Sequence, residues 1–416
     1  MGIWRTLPPL RFMPDRLRVL MLASYFPKPA NRLMGTWALL QATALRRRMD
    51  LQVVSLTSWV PRALSAYKHA AAYADCPAQF EWGDVPVQYP RALWYPVPPL
   101  KQYAFRNPRP QMQLAWQSVR PSLIRAVREF QPQVIYAHHT AVNGFLASRL
   151  KDVLKIPFVV TDHDFDEIAG CAHLPARKRF FANVVGQSSM MVAVATRMER
   201  QMRELFPEAR TCTIQNGTEP IPEAIRNSPR PEELRGKTVL FSCGAFYERK
   251  GFPLLVEAFA EVAPRFPNAV LRIAGDGEQR AQVEELIRRF SLEDKVRLLG
   301  FLPHEDVLRE MCQCDAFVLT GWDEPFATVF SEAMSAGKPV ICCNDGGITD
   351  VLKNEVHGLT VPPKDKAAIA QALSRILEDA SLRARLGQAA GKLFESALKW
   401  DHNAARMEAV FQAAAS

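Results

Sequence analysis

The stretch Asp323–Pro339, DEPFATVFSEAMSAGKP, decides how the rest of the chain is read. Two carboxylates, Glu324 and Glu332, stand eight residues apart with an apolar run between them. Pro325 fits the first turn of a helix, where a missing N–H removes no bond. From Phe326 onward Val329, Phe330, Ala333 and Met334 recur at helical spacing. Ala336-Gly337 and Pro339 stop the helix. The spacing predicts Glu324 in the loop at the helix N-terminus, with Glu332 about two turns further in. The unpaired amides of that first turn, Phe326, Ala327 and Thr328, make an anion site suited to phosphate. Two glutamates on an amphipathic helix are ordinary by themselves, so the neighbouring sequence has to decide.

Outward from this stretch, short apolar runs alternate with helical patterns. Asp315–Leu319 reads as the strand feeding the Glu324 loop. In the first half, Arg18–Ser24 is a buried strand, Tyr25–Gly35 a loop, Trp37–Arg48 a helix and Leu51–Leu56 the next strand. Strand, loop, helix, strand is the βαβ unit of a parallel sheet. Gln133–Ala137, Phe158–Thr161 and Met190–Val194 continue it, and Pro220–Gly236, rich in Pro, Arg and Glu, reads as a linker. Beyond it, Thr238–Cys243, Val270–Ile273 and Val296–Leu299 are strands of a second alternation, and Trp400 begins a last helix. A chain of 416 residues is too long for one ordinary core. The expected division is 1–220 and 221–399, with 400–416 as a final helix. Ligands in parallel sheets gather at the carboxyl ends of strands. That places Gly35-Thr36 beside the ligand.

Residues 61–112 interrupt the pattern with Trp82, Tyr89, Trp94, Tyr95, Tyr103 and many prolines. They read as a long irregular insertion, either a packed surface loop with a few buried aromatics or a binding surface whose aromatic faces stack on sugar rings or touch lipid. Trp116–Phe130, with Arg120, Arg125 and Arg128, reads as a basic amphipathic helix.

The net charge of +9 is uneven: 1–220 hold 28 Lys+Arg against 15 Asp+Glu, and the remainder is net acidic. A basic half suits an anionic sugar substrate or an anionic membrane surface. No nucleic-acid-binding motif is present, so nucleic acid is not an expected partner. The eight cysteines form no CxxC pair and read as reduced core residues. No apolar run is long enough to span a membrane, and the N-terminus shows no signal-peptide apolar region. Met1-Gly2-x-x-x-Thr6 formally matches a myristoylation pattern. The chain therefore reads as cytoplasmic, with peripheral attachment to the inner face of the membrane as an option.

The stretch 323–339, together with Pro339-Val340, Gly346-Gly347, Asp350, Gly358 and Leu359, resembles the E-x7-E element of the retaining glycosyltransferases of family 4. The resemblance implies the α/β GT-B fold: two Rossmann-like parallel-sheet domains facing an interdomain cleft, with the last helix crossing back onto the first. It implies Glu324 near the donor sugar and Glu332 on the nucleotide ribose, whose two hydroxyls one carboxylate can accept. Gly244–Gly251 resembles the family's Gly-Arg-Leu-x-x-x-Lys-Gly loop, with Lys250 as the diphosphate cation. Ala245 stands where the family has arginine, and Arg249 is the residue that could reach in instead. Asp162–Asp166 resembles the His-Gly-x-Asp element, with His163 near the reacting centre, Asp166 at the aspartate position and Asp164 replacing glycine. Asn216-Gly217 matches the turn closing the first domain.

Gly35-Thr36 and Gly275 would approach the donor, and Phe301-Leu302 would hold the base by backbone groups. The doubled D-x-D within 162–166 could instead mark a metal–nucleotide site of the other glycosyltransferase fold, but the histidine element explains the same residues. The expectation is a nucleotide-sugar donor as co-substrate, no resident cofactor, no metal, and a saccharide or lipid-linked saccharide acceptor in cell-envelope or exopolysaccharide synthesis. Two other readings stay open: a catalytically impaired nucleotide-sugar-binding subunit, because of Ala245, and a GT-B nucleotide-sugar epimerase.

Overall fold

A computed structural model describes residues 16–61, 63, 70, 73–94 and 100–416. The Met1–Thr6 pattern and Tyr95 lie outside the described residues. The chain divides into two units: unit 1 is Met1–Ala193, Met198–Ile214 and Asn403–Ser416, and unit 2 is Val194–Arg197 and Gln215–His402. The boundary near 215 falls ahead of the expected 220.

Among the described residues the strands of unit 1 are β1 (Arg18–Leu22), β2 (Asp50–Val54), β3 (Thr57–Ser58), β4 (Gln79–Trp82), β5 (Val85–Gln88), β6 (Arg91–Ala92), β7 (Val134–His138), β8 (Phe158–Asp162), β9 (Met190–Ala193) and β10 (Thr211–Thr213). Eight of them form one sheet in the order β10-β9-β8-β7-β1-β2-β5-β4, while β3 and β6 pair separately. Every residue of β7 and β8 is buried. Strands covered on both faces by helices read as unbroken apolar runs, which is why these were visible in the sequence.

The segment 61–112, expected to be an irregular insertion, contributes three of those strands, β4, β5 and β6. β4 and β5 are antiparallel, joined across Gly83-Asp84, with Trp82 opposite Val85. The Trp82 indole donates to the Tyr89 hydroxyl, which donates to Pro27 O, so the hairpin is tied to the loop after β1. The helix Arg109–Phe130 starts seven residues before the expected Trp116. Met112, Ala115, Trp116, Val119, Leu123 and Val127 form its buried stripe, and Pro121 is tolerated on the exposed face. The residues from Asn403 close unit 1: Gln41 Nε2 donates to Asn403 Oδ1 at 2.9 Å, Arg48 pairs with Glu408, and Phe411 packs on Tyr136.

Unit 2 holds β11 (Thr238–Cys243), β12 (Ala269–Ala274), β13 (Val296–Gly300), β14 (Ala316–Leu319), β15 (Val340–Cys343) and β16 (Gly358–Val361). All run parallel, in the order β13-β12-β11-β14-β15-β16. The expected linker 220–236 is packed onto this unit. Ile221 N donates to Ser335 Oγ, and Arg230 pairs with Asp315 at 2.9 Å, whose carboxylate also accepts from Val239 N. Asp315 thereby fixes the entry to β11, so the segment belongs to the unit's core.

The helix of the opening stretch is Thr328–Ser335, shorter than expected. Pro325 lies in the turn before it, because Gly347 N donates to Glu324 O and holds that turn out of the helix. Glu332 is therefore about one turn in, not two.

Candidate active site

Each sheet reverses its strand order once, and that reversal positions the candidate residues. In unit 2 the order turns between β11 and β14, so the loops after these two strands flank a crevice at their carboxyl ends. The loop after β11 carries Gly244, Arg249 and Lys250, and the loop after β14 carries Glu324. Lys250 Nζ stands 2.8 Å from Glu324 Oε1, the two side chains being 16 % and 5 % exposed. Gly251, in left-handed backbone at φ +69, lets the Lys250 loop lie against Thr320 at the end of β14. Trp322 N donates to Arg249 O, and the Arg249 guanidinium donates to Asp323 O at 3.3 Å. The Arg249 guanidinium thus meets the residue next to Glu324.

Gly275 sits against Gly244: at φ +134, a Cβ on Gly275 would lie 1.9 Å from Gly244 O. Only a glycine allows this approach of the loops after β11 and β12. Gly275 N donates to Gly300 O, continuing the stitch to the turn after β13. In that turn Phe301 is 69 % exposed and Leu302 half-buried. Phe326 is buried, with Ala327 and Thr328 half-buried at the helix start, where the first amides have no partner within the helix.

Glu332 is buried in that helix and meets His304 Nε2 at 3.1 Å. The hydrogen bond to Glu332 pushes the His304 imidazole above its ordinary pKa. His304, the first residue of the helix after Pro303, had no signal in the sequence: it lies 28 residues from its partner.

In unit 1 the order turns between β1 and β7. The loop after β1 ends at Gly35, which is left-handed at φ +65, and Thr36 starts the helix Thr36–Arg48. The next residue, Trp37, stacks on His138 at 5.1 Å and tilts against His163 at 4.1 Å. Both nitrogens of His138 and of His163 are buried without hydrogen-bond partners. Burial, with neighbouring histidines second, pushes both imidazoles well below their ordinary pKa, so both are neutral near pH 7. Asp166 is exposed in the first turn of the helix Phe165–His173 and lines the unit 1 cavity with Asp164 and Glu167.

Three residues that the sequence reading did not select form a second buried group. One ligand-type atom each of His139, Asp162 and Glu167 lies within 4.8 Å of the others. Burial raises the pKa of both carboxyls. Among the described residues this is the cluster able to hold a metal. The signal for Asp162 and Glu167 was the acidic run 162–167. His139 gave none, since its left-handed backbone, φ +67, is set by the turn that follows β7. A cavity of about 310 Å³ opens beside it, lined by Tyr25, Trp94, Phe105, His139, Asp164 and Glu167 among others.

Two family models match: Glycosyltransferase Family 4 over residues 80–220 and Glycosyl transferases group 1 over 224–393. An uncharacterized glycosyltransferase of Methanocaldococcus jannaschii is 28 % identical over 66 % of this chain and 74 % of its own length. The lipopolysaccharide core biosynthesis glycosyltransferase LpsD of Rhizobium meliloti is 29 % identical over 63 % of this chain and 70 % of its own. Among solved structures, sucrose-phosphate synthase of Thermosynechococcus elongatus superposes with a TM-score of 0.75 at 19 % identity, covering 95 % of this chain and 98 % of its own. Anabaena HepE in complex with UDP gives 0.68 at 19 %, covering 94 % and 98 %. The fold is GT-B, and the chain belongs to the group 1 glycosyltransferases of family 4.

Proposed function

We propose that this glycosyltransferase is a retaining hexosyltransferase that moves a sugar from a nucleotide-sugar donor to a saccharide or lipid-linked saccharide. The observation that carries the donor reading is the Lys250–Glu324 pair at 2.8 Å on the switch point of unit 2. The reaction separates charge: a diphosphate leaves while an oxocarbenium-like sugar forms. Positive groups held in place at the leaving diphosphate are then the main lever. Lys250, Arg249 and the first amides of Thr328–Ser335 supply them without a metal at the phosphates. Glu324, already ion-paired with Lys250, accepts hydroxyls of the donor sugar, and Glu332 accepts those of the ribose. His163, neutral, is suited to an uncharged sugar hydroxyl. No protein nucleophile is assigned; the departing phosphate takes the acceptor proton. HepE was solved with UDP, and a uridine nucleotide is the first donor to try.

The acceptor reading rests on the unit 1 cavity, where aromatic faces stand beside carboxylates, the pairing that binds sugar rings and their hydroxyls. Next to it the helix Leu100–Arg106 has no buried residue and shows Leu100 and Tyr103 to solvent beside Lys101 and Arg106. Such a face suits an anionic bilayer carrying a lipid-linked acceptor, and LpsD acts in lipopolysaccharide core synthesis. No helix among the described residues is long and apolar enough to cross a membrane.

The test is a panel of nucleotide sugars, read by release of nucleoside diphosphate and by the anomeric coupling of the product in proton NMR. Retention of configuration is expected. Inversion overturns the retaining assignment, and sugar interconversion without transfer favours an epimerase.

A further inference from the structure

We infer that His139, Asp162 and Glu167 form a binding site for a divalent cation in unit 1. This departs from the metal-free expectation of the sequence, and it does not rest on the donor reading.

The three side chains come from two strand ends. Asp162 closes β8, His139 follows β7, and Glu167 lies in the first turn of the helix that follows β8. Asp162 is oriented: its Oδ1 accepts from Thr140 N at 2.8 Å and its Oδ2 from Thr140 Oγ1 at 2.5 Å. Carboxylates held this way typify ligands with an ordered surround. His139 Nε2 and Glu167 Oε2, by contrast, are buried and meet no hydrogen-bond partner, and His139 is 9 % exposed. Buried polar atoms are almost always paired, so the orphaned His139 Nε2, beside a Glu167 Oε2 that has the Arg177 guanidinium at 3.5 Å but no hydrogen bond, points to a group that completes the cluster.

The charge count points the same way. The guanidinium of Arg177 is the cation packed against the pair, stacked between Phe105 and Phe181. Its Nε and Nη2 donate to Glu167 O and its Nη1 to Phe105 O, leaving 3.5 Å between Nη2 and Glu167 Oε2. One guanidinium faces two carboxylates, with Asp164 adding a third negative group nearby.

One imidazole with two carboxylates suits Mn²⁺, Zn²⁺, Fe²⁺ or Co²⁺. Such ligands bind at about 2.0–2.2 Å, which puts them about 3.0–3.5 Å apart, so the separations of up to 4.8 Å need to close by about 1.5 Å. The Glu167 side chain, 27 % exposed, has room to do so. His139 and Glu167 both line the cavity, so the remaining coordination positions face it. The ion would take an oxygen from a water or from a hydroxyl bound there.

The full-length chain, stripped with EDTA, is titrated with Mn²⁺, Zn²⁺ and Co²⁺ by calorimetry, and Co²⁺ binding is followed by visible absorption. One ion per chain is expected, with d–d bands of an N/O shell and a raised melting temperature. His139→Ala and Glu167→Gln should each weaken binding at least tenfold, while His173→Ala, exposed on the same helix as Glu167, should leave it unchanged. If His139→Ala does not fold, Glu167→Gln and the Co²⁺ spectrum of the unsubstituted chain decide. No heat and no Co²⁺ band up to millimolar metal, or binding indifferent to the folded variants, overturns the site. Transfer activity does not enter this readout, so its failure leaves the donor reading standing.

Discussion

At the switch point of unit 2, Lys250 meets Glu324 at 2.8 Å and His304 meets Glu332 at 3.1 Å. At that of unit 1, His138 and His163 press against Trp37 with ring nitrogens that meet nothing. The topological device is the same in both sheets, a reversal of strand order that opens two loops at the carboxyl edge. The chemistry is opposite. Unit 2 pairs the Lys250 ammonium with a carboxylate and sets a second carboxylate against His304, whose protonated form that contact favours. Unit 1 keeps its imidazoles neutral by burial, an arrangement that offers hydrogen bonds to uncharged hydroxyls. The shared backbone geometry sets where a site can form, and the side chains on the two loops set which class of group it receives.

The hardest blow to this contrast is Lys250→Ala. It removes the cation proposed to meet the leaving diphosphate, and turnover should fall on the order of 10²–10³-fold. Near-normal turnover would break the contrast outright. Next is Gly275→Ala, which forces a Cβ into Gly244 O and separates the loops after β11 and β12. It should cost about 3 kcal/mol in urea unfolding; an unmoved midpoint would mean the stitch between these loops is dispensable. Glu332→Gln should raise the donor KM about tenfold with a smaller change in kcat, because it weakens an acceptor of ribose hydroxyls in ground and transition state alike. A donor KM that stays put removes the ribose assignment.

The smallest effect is titration of His304. Its pKa is raised by Glu332, so the stability it contributes is fully present below the ordinary 6.5 and fades as pH rises through the raised value. With His304 56 % exposed, the change should stay under about 1 kcal/mol. It should vanish in His304→Ala when melting is followed from pH 6 to pH 8.

Much of the architecture was legible because parallel strands buried on both faces are continuous apolar runs. Thr238–Cys243 was read residue for residue. The Lys250 and Glu324 loops were legible too, as motifs at strand ends. What escaped was decided by tertiary contact. Pro325 fits a first helical turn, but Gly347 N takes the Glu324 carbonyl and delays the helix to Thr328. The proline-rich 220–236 looks like a tether until Asp315, far along the chain, anchors Arg230. His304 and His139 carried no local signature, since one is defined by a partner a helix away and the other by a left-handed turn that any sequence rule assigns to glycine or asparagine. Asp162 was visible as acidic character, but its pairing with His139 across two strands was not.

The bond between Gln41 and Asn403 spans 362 residues of chain. A ribosome adding about 5–20 residues per second needs tens of seconds to cover that distance. Once Thr213 has left the exit tunnel every strand of the first unit is out, while the surface that receives Phe411 beside Tyr136 stays uncovered for the rest of that interval. The earlier-made lobe must therefore wait for the whole of the later one before its interior is shut, which makes a nascent-chain chaperone most useful until the segment from Asn403 has emerged.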